Sequence, residues 1–150
     1  MLTEKCGVFG VFGLKKNVEA SRIVHTGLWA LQHRGQESSG IASGNGKRIY
    51  VHKGMGLVAH VYNEKSFLKL PGYIAVGHNR YSTSGKSSTN HAQPVCGEDR
   101  LLAFGHNGNL PTTDALVNFL TKRGVGTRYS NDSELMHKAV AYYMVKKMSL

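Results

Sequence analysis

Apolar residues at Val8, Phe9, Val11 and Phe12, interleaved with glycines, predict a short buried strand just after Cys6. Beyond it, Ala20, Ile23, Val24, Gly27, Leu28 and Leu31 recur at spacings of three and four, the signature of one helix face, with Asn17 in position to cap the start. Such a stripe packs on a sheet, and Trp29 widens it, so Trp29 is expected to be core or partly buried. Residues 32–40 form a polar segment bounded by glycines, after which residues 41–43 and 48–52 read as two short strands. Asn45-Gly46 joins them as a hairpin turn, because both residues tolerate positive φ. Residues 53–58 lead into a small helical or irregular piece ending near Pro71-Gly72, and residues 73–81 are strand-like, delivering polar side chains at their exit. The loop over 82–94 is rich in Ser, Thr, Gly and Asn, and ordering it is costly unless it covers something. Residues 101–105 predict the next strand, which ends on His106-Asn107-Gly108-Asn109.

Two helices close the chain. Thr112 or Thr113 begins one that carries Leu116, Phe119 and Leu120 and stops near Gly124 and Gly126. Asn131 followed by Glu134 is a capping-box pattern for the other, whose broad face bears Leu135, Met136, Ala139, Val140, Tyr143, Met144 and Lys147. That helix pattern runs into Met148-Ser149-Leu150 without a Gly or Asn stop, as it would in a domain cut short.

With 150 residues, 41% of them hydrophobic, the chain can fill one globular core. No apolar run approaches the ~18 residues that cross a bilayer, and no signal-like segment opens the sequence, which predicts a cytoplasmic protein without a membrane partner. Two cysteines, Cys6 and Cys96, are too few for a disulfide scaffold and are expected to be reduced. The histidines show no metal-site spacing, so no metal is assigned. The net charge of +10 raises the question of a polyanionic partner. Yet the cations are scattered, as at Lys15-Lys16, Lys47-Arg48, Lys122-Arg123 and Lys146-Lys147, and no aromatic-basic recognition motif accompanies them. Surface solvation or an acidic partner domain explains them as well as nucleic acid does, and nucleic acid is not expected.

The candidate chemistry sits where strands end in polar, glycine-containing corners. If residues 1–5 were removed, Cys6 would carry a thiol and a free α-amine on one residue, a nucleophile with its own base attached. An α-amine titrates near pH ~8 and a thiol near ~8.5, so both work close to neutrality. The alternative is an ordinary buried cysteine at a strand start. Asn107-Gly108 offers a side-chain amide beside a backbone N–H, a donor pair for a developing oxyanion, or else a type I′ turn. Arg80 presents a planar fork suited to a carboxylate, or is structural at its strand end. Asp132 can accept from an ammonium group, or serves the start of the last helix. Arg80 and Asp132 together would clamp the two ends of a free amino acid. Arg34, with His33 and Gln36, lines or stiffens such a pocket, and His106 is placed to orient the Asn107 corner by hydrogen bonding.

Several segments carry a resemblance: residues 6–10, 27–41, 55–58 and 77–83, Ala92-Gln93-Pro94 in residues 90–94, and residues 105–110. Together they resemble the glutamine amidotransferases of the N-terminal-nucleophile type, and within these are most similar to the glutaminase domain of the amidophosphoribosyltransferase family. Leu31-Gln32-His33-Arg34-Gly35-Gln36-Glu37-Ser38 carries the choice of branch. The resemblance implies an α+β, four-layer αββα sandwich, here cut short at its C-terminus, with residues 1–5 a removable leader and residues 6–150 an incomplete glutamine amidotransferase domain.

It also implies roles. Cys6 would be the nucleophile and its α-amine the base. Asn107 and Gly108 would form the oxyanion hole, Arg80 would hold the glutamine α-carboxylate, Asp132 its α-amine, and Arg34 would support the pocket. Glutamine would be hydrolysed through a Cys6 thioester to supply ammonia for 5-phosphoribosylamine synthesis from phosphoribosyl pyrophosphate in purine biosynthesis. The acceptor reaction would take place on a phosphoribosyltransferase domain in cis, which is absent from these residues and is where Mg²⁺ would bind; the family also implies a homo-oligomer. The alternative within the same fold is an unprocessed or truncated remnant that at most binds glutamine.

Overall fold

The fold was obtained as a computed structural model and is described for residues 6–81 and 89–145. Residues 1–5, 82–88 in the long loop and 146–150 lie outside the described residues. The chain divides into two compact units, one up to Asn107 and one from Gly108.

In the first unit, strands β1 (Gly7–Phe12), β2 (Ser38–Gly44), β3 (Ile49–Met55) and β4 (Ile74–Arg80) form one antiparallel sheet in the order β1-β4-β2-β3. β4 is therefore central, with Val8 and Gly40 flanking His78 in register. Helix α1 (Ala20–Ala30) lies on one face and buries Ala20, Val24 and Leu28 completely. Its seat depends on two glycines. A Cβ on Gly77 of β4 would stand 2.5 Å from Val24 Cγ1, and one on Gly27 of the helix would stand 2.5 Å from the Phe9 ring. Ile41, Ala75, Leu70 and the short helices α2 (Val58–Val61) and α3 (Glu64–Phe67) complete this core.

The opposite face of the sheet is covered in part by residues 91–106, which include the two-residue strands β5 (Val95–Cys96) and β6 (Ala103–Phe104). Gly105 lies against Val76 and Val8, and Lys53 Nζ donates to the Ala92 carbonyl at 2.6 Å. A cavity of about 440 Å³, lined by Ile49, Ile74, Val76, Arg100 and Leu102 among others, opens on this face toward the Ile74 end of β4.

The second unit holds α4 (Asp114–Thr121) and α5 (Asp132–Val145), packed on each other with the Phe119 and Tyr143 rings stacked at 5.5 Å. The Asn131–Glu134 capping box forms as expected: Asn131 N–H donates to Glu134 Oε2 and Glu134 N–H to Asn131 Oδ1, both at 2.9 Å.

Three expectations need correction. Asn17 does not cap α1, which starts at Ala20 after Glu19 with no side-chain cap bond. Trp29 is not core, being 57% exposed on the outer side of the helix. The strand expected over 101–105 shrinks to Ala103–Phe104, because Leu101 is 63% exposed and the segment around it runs as bends rather than as ladder.

Candidate active site

The carboxyl end of β4 and the start of β1 lie side by side, since Gly7 pairs with Asn79, and this brings Cys6 next to the chain leaving the sheet at Tyr81. Cys6 is half-buried, with its Sγ 3.9 Å from the Tyr81 carbonyl. Two side chains from remote segments converge on its backbone. Arg34 Nε donates to the Cys6 carbonyl at 2.9 Å, and Asn107 Nδ2 donates to the same oxygen at 3.1 Å. Arg34 arrives on the short 3₁₀ turn Gln32–Arg34 that follows α1. That turn is itself pinned, because Gln32 Oε1 accepts from Val58 N–H at 2.7 Å while Gln32 Nε2 donates to the Gly35 carbonyl at 2.5 Å. Gly35 lies so close beneath β4 that a Cβ there would stand 2.6 Å from the Asn79 carbonyl.

Arg80 ends β4, its side chain 22% exposed, with Nη1 3.9 Å from Glu37 Oε1 and donating to the His91 carbonyl at 3.1 Å. Glu37 is a residue sequence reasoning missed. Its carboxylate is 11% exposed, and neither oxygen has a hydrogen-bond partner among the described residues. Glu37 Oε1 therefore faces the guanidinium as a through-space counter-charge. The sequence shows only that Glu37 is the lone acid of the polar segment 32–40; that it faces Arg80, 43 positions on, comes from the fold.

Asn79, between the two, is fully buried and fully paired: Ser39 Oγ donates to its Oδ1 at 2.8 Å, and its Nδ2 donates to the Leu28 carbonyl in the last turn of α1 at 2.7 Å. His33 and Gln36 are exposed, and His33 Nδ1 lies 3.1 Å from the Ala30 carbonyl at the end of α1.

The structure thus assembles Cys6, Arg34 and Asn107 on one oxygen, with Arg80 at the neighbouring strand end. Gly108 and Asp132 belong to the second unit. Gly108 has a φ of +141°, and Asp132 starts α5. There Asp132 Oδ2 accepts from Leu110 N–H at 3.2 Å and Oδ1 from Ser133 N–H at 2.8 Å. No group of three or more His, Cys, Asp or Glu side chains able to hold a metal ion occurs among the described residues. Nor, among them, is any helix long and apolar enough to cross a membrane. The cavity at the Ile74 end of β4 is remote along the strand from the Arg80 end and takes no part in this corner.

Fold and corner together define an α+β domain of the N-terminal-nucleophile hydrolase type. No family model matches the chain, whereas comparison with individual proteins is decisive. The chain is 45% identical over 141 residues to amidophosphoribosyltransferase of Synechocystis, covering 92% of this chain and 28% of that protein. It is 41% identical over 147 residues to the Drosophila melanogaster protein of the same name, covering 93% of this chain and 27% of that one. Among solved structures it matches glutamine phosphoribosylpyrophosphate amidotransferase from B. subtilis with ADP and GMP at TM-score 0.72 and 32% identity, over 95% of this chain and 30% of that one. A structure described as the allosteric regulatory enzyme of purine biosynthesis matches at TM-score 0.76 and 34% identity, with the same coverage. The chain is a domain homologous to the glutaminase portion of amidophosphoribosyltransferases. It spans about 28% of the length of the curated relatives it matches.

Proposed function

We propose that the domain hydrolyses glutamine, with Cys6, exposed by removal of residues 1–5, as the nucleophile. The observation that carries the reading is the pair of donors, Arg34 Nε and Asn107 Nδ2, that fix the Cys6 carbonyl and so set where its side chain and α-nitrogen point. The α-amine takes the thiol proton, and Sγ attacks the side-chain amide carbon of glutamine. Negative charge develops on the amide oxygen. The second N–H of the Asn107 carboxamide and the backbone N–H of Gly108 stabilise it, a contribution worth about 3–4 kcal/mol per donor in comparable sites. The C–N bond then breaks, the amine nitrogen of Cys6 returns its proton to the leaving group, and ammonia departs from a Cys6 thioester. Water, activated by the same amine, attacks the thioester and releases glutamate.

Arg80 holds the substrate α-carboxylate, Asp132 its α-amine, and Arg34 supports the pocket. The ammonia serves the synthesis of 5-phosphoribosylamine from phosphoribosyl pyrophosphate on a phosphoribosyltransferase domain, where Mg²⁺ binds, within a homo-oligomer. The shared identity with amidophosphoribosyltransferases over nearly the whole chain supports this destination.

The test combines intact mass, N-terminal sequencing and glutamate release. A chain beginning at Cys6 that forms glutamate, and a folded Cys6→Ala variant that forms none while ammonia-dependent phosphoribosylamine synthesis by the full enzyme persists, is the expected result. Retention of residues 1–5 with no glutamate formed would instead establish a non-catalytic remnant.

A further inference from the structure

Asn107 is exposed and follows an irregular stretch, so nothing in its own secondary structure fixes the direction of its carboxamide. The residue before it is held at both backbone polar groups. His78 Nε2 lies 3.0 Å from the His106 carbonyl, and Gln93 Oε1 accepts from His106 N–H at 2.7 Å. Both peptide groups of His106 are thereby gripped by side chains from other segments. The His106 ring stacks near Phe104, their centroids 6.4 Å apart.

His78 is 0% exposed in the centre of the sheet, and its Nδ1 has no hydrogen-bond partner among the described residues. Because a carbonyl oxygen can only accept, Nε2 carries the proton and Nδ1 is bare. A bare buried ring nitrogen is a cost that an apolar side chain of similar size would avoid, so the donated Nε2–H is what the residue supplies. Burial, opposed by the hydrogen bond to the His106 backbone and reinforced by the Arg80 charge, lowers the His78 pKa to about 4, which keeps the ring in this neutral tautomer near pH 7. Gly40 pairs with His78 in register and lies beneath the Gln93 carbonyl, where a Cβ would overlap it. The absence of a side chain there lets Gln93 lie over the sheet beside His78.

We propose that His78 and Gln93 are positioning residues that clamp the backbone of His106 and so aim the Asn107 carboxamide at Cys6. The proposal rests on the reading of Cys6 and Asn107 given under Proposed function. Neither residue touches the reacting atoms; both act through the peptide groups that precede Asn107.

The test compares His78→Leu, which fills the space without a donor, with His78→Gln, whose side-chain N–H replaces the Nε2–H. In the processed protein, His78→Leu is expected to lower kcat for glutamine hydrolysis about tenfold to a hundredfold with KM within about twofold, as for a misaimed catalytic group. His78→Gln is expected to recover most of the loss. The Asn107 side-chain amide signals in a ¹H–¹⁵N spectrum, which need no turnover, are expected to shift in His78→Leu and return in His78→Gln. A folded His78→Leu protein with the parental kcat and parental Asn107 signals overturns the proposal. Should that variant not fold, Gln93→Leu carries the same expectation, and its indifference in both readouts is equally fatal. If the parent protein itself forms no glutamate, the functional reading fails, and the Asn107 signals alone decide whether the clamp exists.

Discussion

Glu37 and Arg80 are a pair in which each member conditions the other. A carboxylate that is 11% exposed and accepts no hydrogen bond among the described residues is tolerable because the guanidinium stands 3.9 Å away. Arg80→Ala leaves that carboxylate uncompensated, so the variant should lose stability as well as glutamine affinity. The two losses can be separated. Arg80→Ala/Glu37→Gln is expected to recover most of the stability in urea unfolding while KM for glutamine stays raised. Recovery of both would mean that Arg80 serves only the fold. His78 adds a pH dependence of definite sign. Its folded pKa of about 4 lies below the ordinary 6.5, so the unfolded chain binds the proton first on acidification. Stability is therefore full above pH 6.5 and falls by about 3 kcal/mol as pH drops toward 4, a slope that His78→Gln should remove in pH-dependent unfolding. Cys6, Asn107 and Arg80 were legible as candidates from residue type and corner position. Glu37, Gln93 and the buried role of His78 were not, because each acts through a partner 13 to 43 positions away, on His106, Arg80 or the His106 carbonyl.

Among the elements, local signals survived, the Asn17 cap of α1 excepted, and long-range ones did not. The α5 capping box and the Asn45-Gly46 turn were readable because donor and acceptor lie within four residues; Asn45 Oδ1 accepts from both Lys47 and Arg48 N–H at 3.0 Å. The 3.6-residue period of α1 located its stripe, and the same period turns Trp29 away from Ala20, Val24 and Leu28, which leaves it exposed. Leu28→Ala should therefore cost about 2–5 kcal/mol in equilibrium unfolding, and Trp29→Ala less than about 1 kcal/mol. Gly77→Ala should also destabilise, by about 1–3 kcal/mol, because its Cβ has no space beneath Val24 and Leu28. A Gly77→Ala protein as stable as the parent would show that helix and sheet are not in the close contact described. The strand expected over 101–105 was overestimated in length, since only Ala103 and Phe104 join a ladder, and their partner strand Val95–Cys96 was not anticipated.

For the molecule as a whole, the charge of +10 was the least informative feature. The two cations of the candidate site, Arg34 and Arg80, are half-buried and committed to named oxygens, which no count of lysines and arginines could reveal. The family, in contrast, was legible at this scale, because its motifs are dispersed along the chain and each falls on a strand end or turn that the fold gathers. Arg34 and Asn107 grip the main-chain oxygen of Cys6 and leave the sulfur out of the grip, so the cradle is indifferent to what stands at the β-carbon. An inert first residue, alanine, should then keep its surroundings poised and allow intact glutamine to be captured and seen in place.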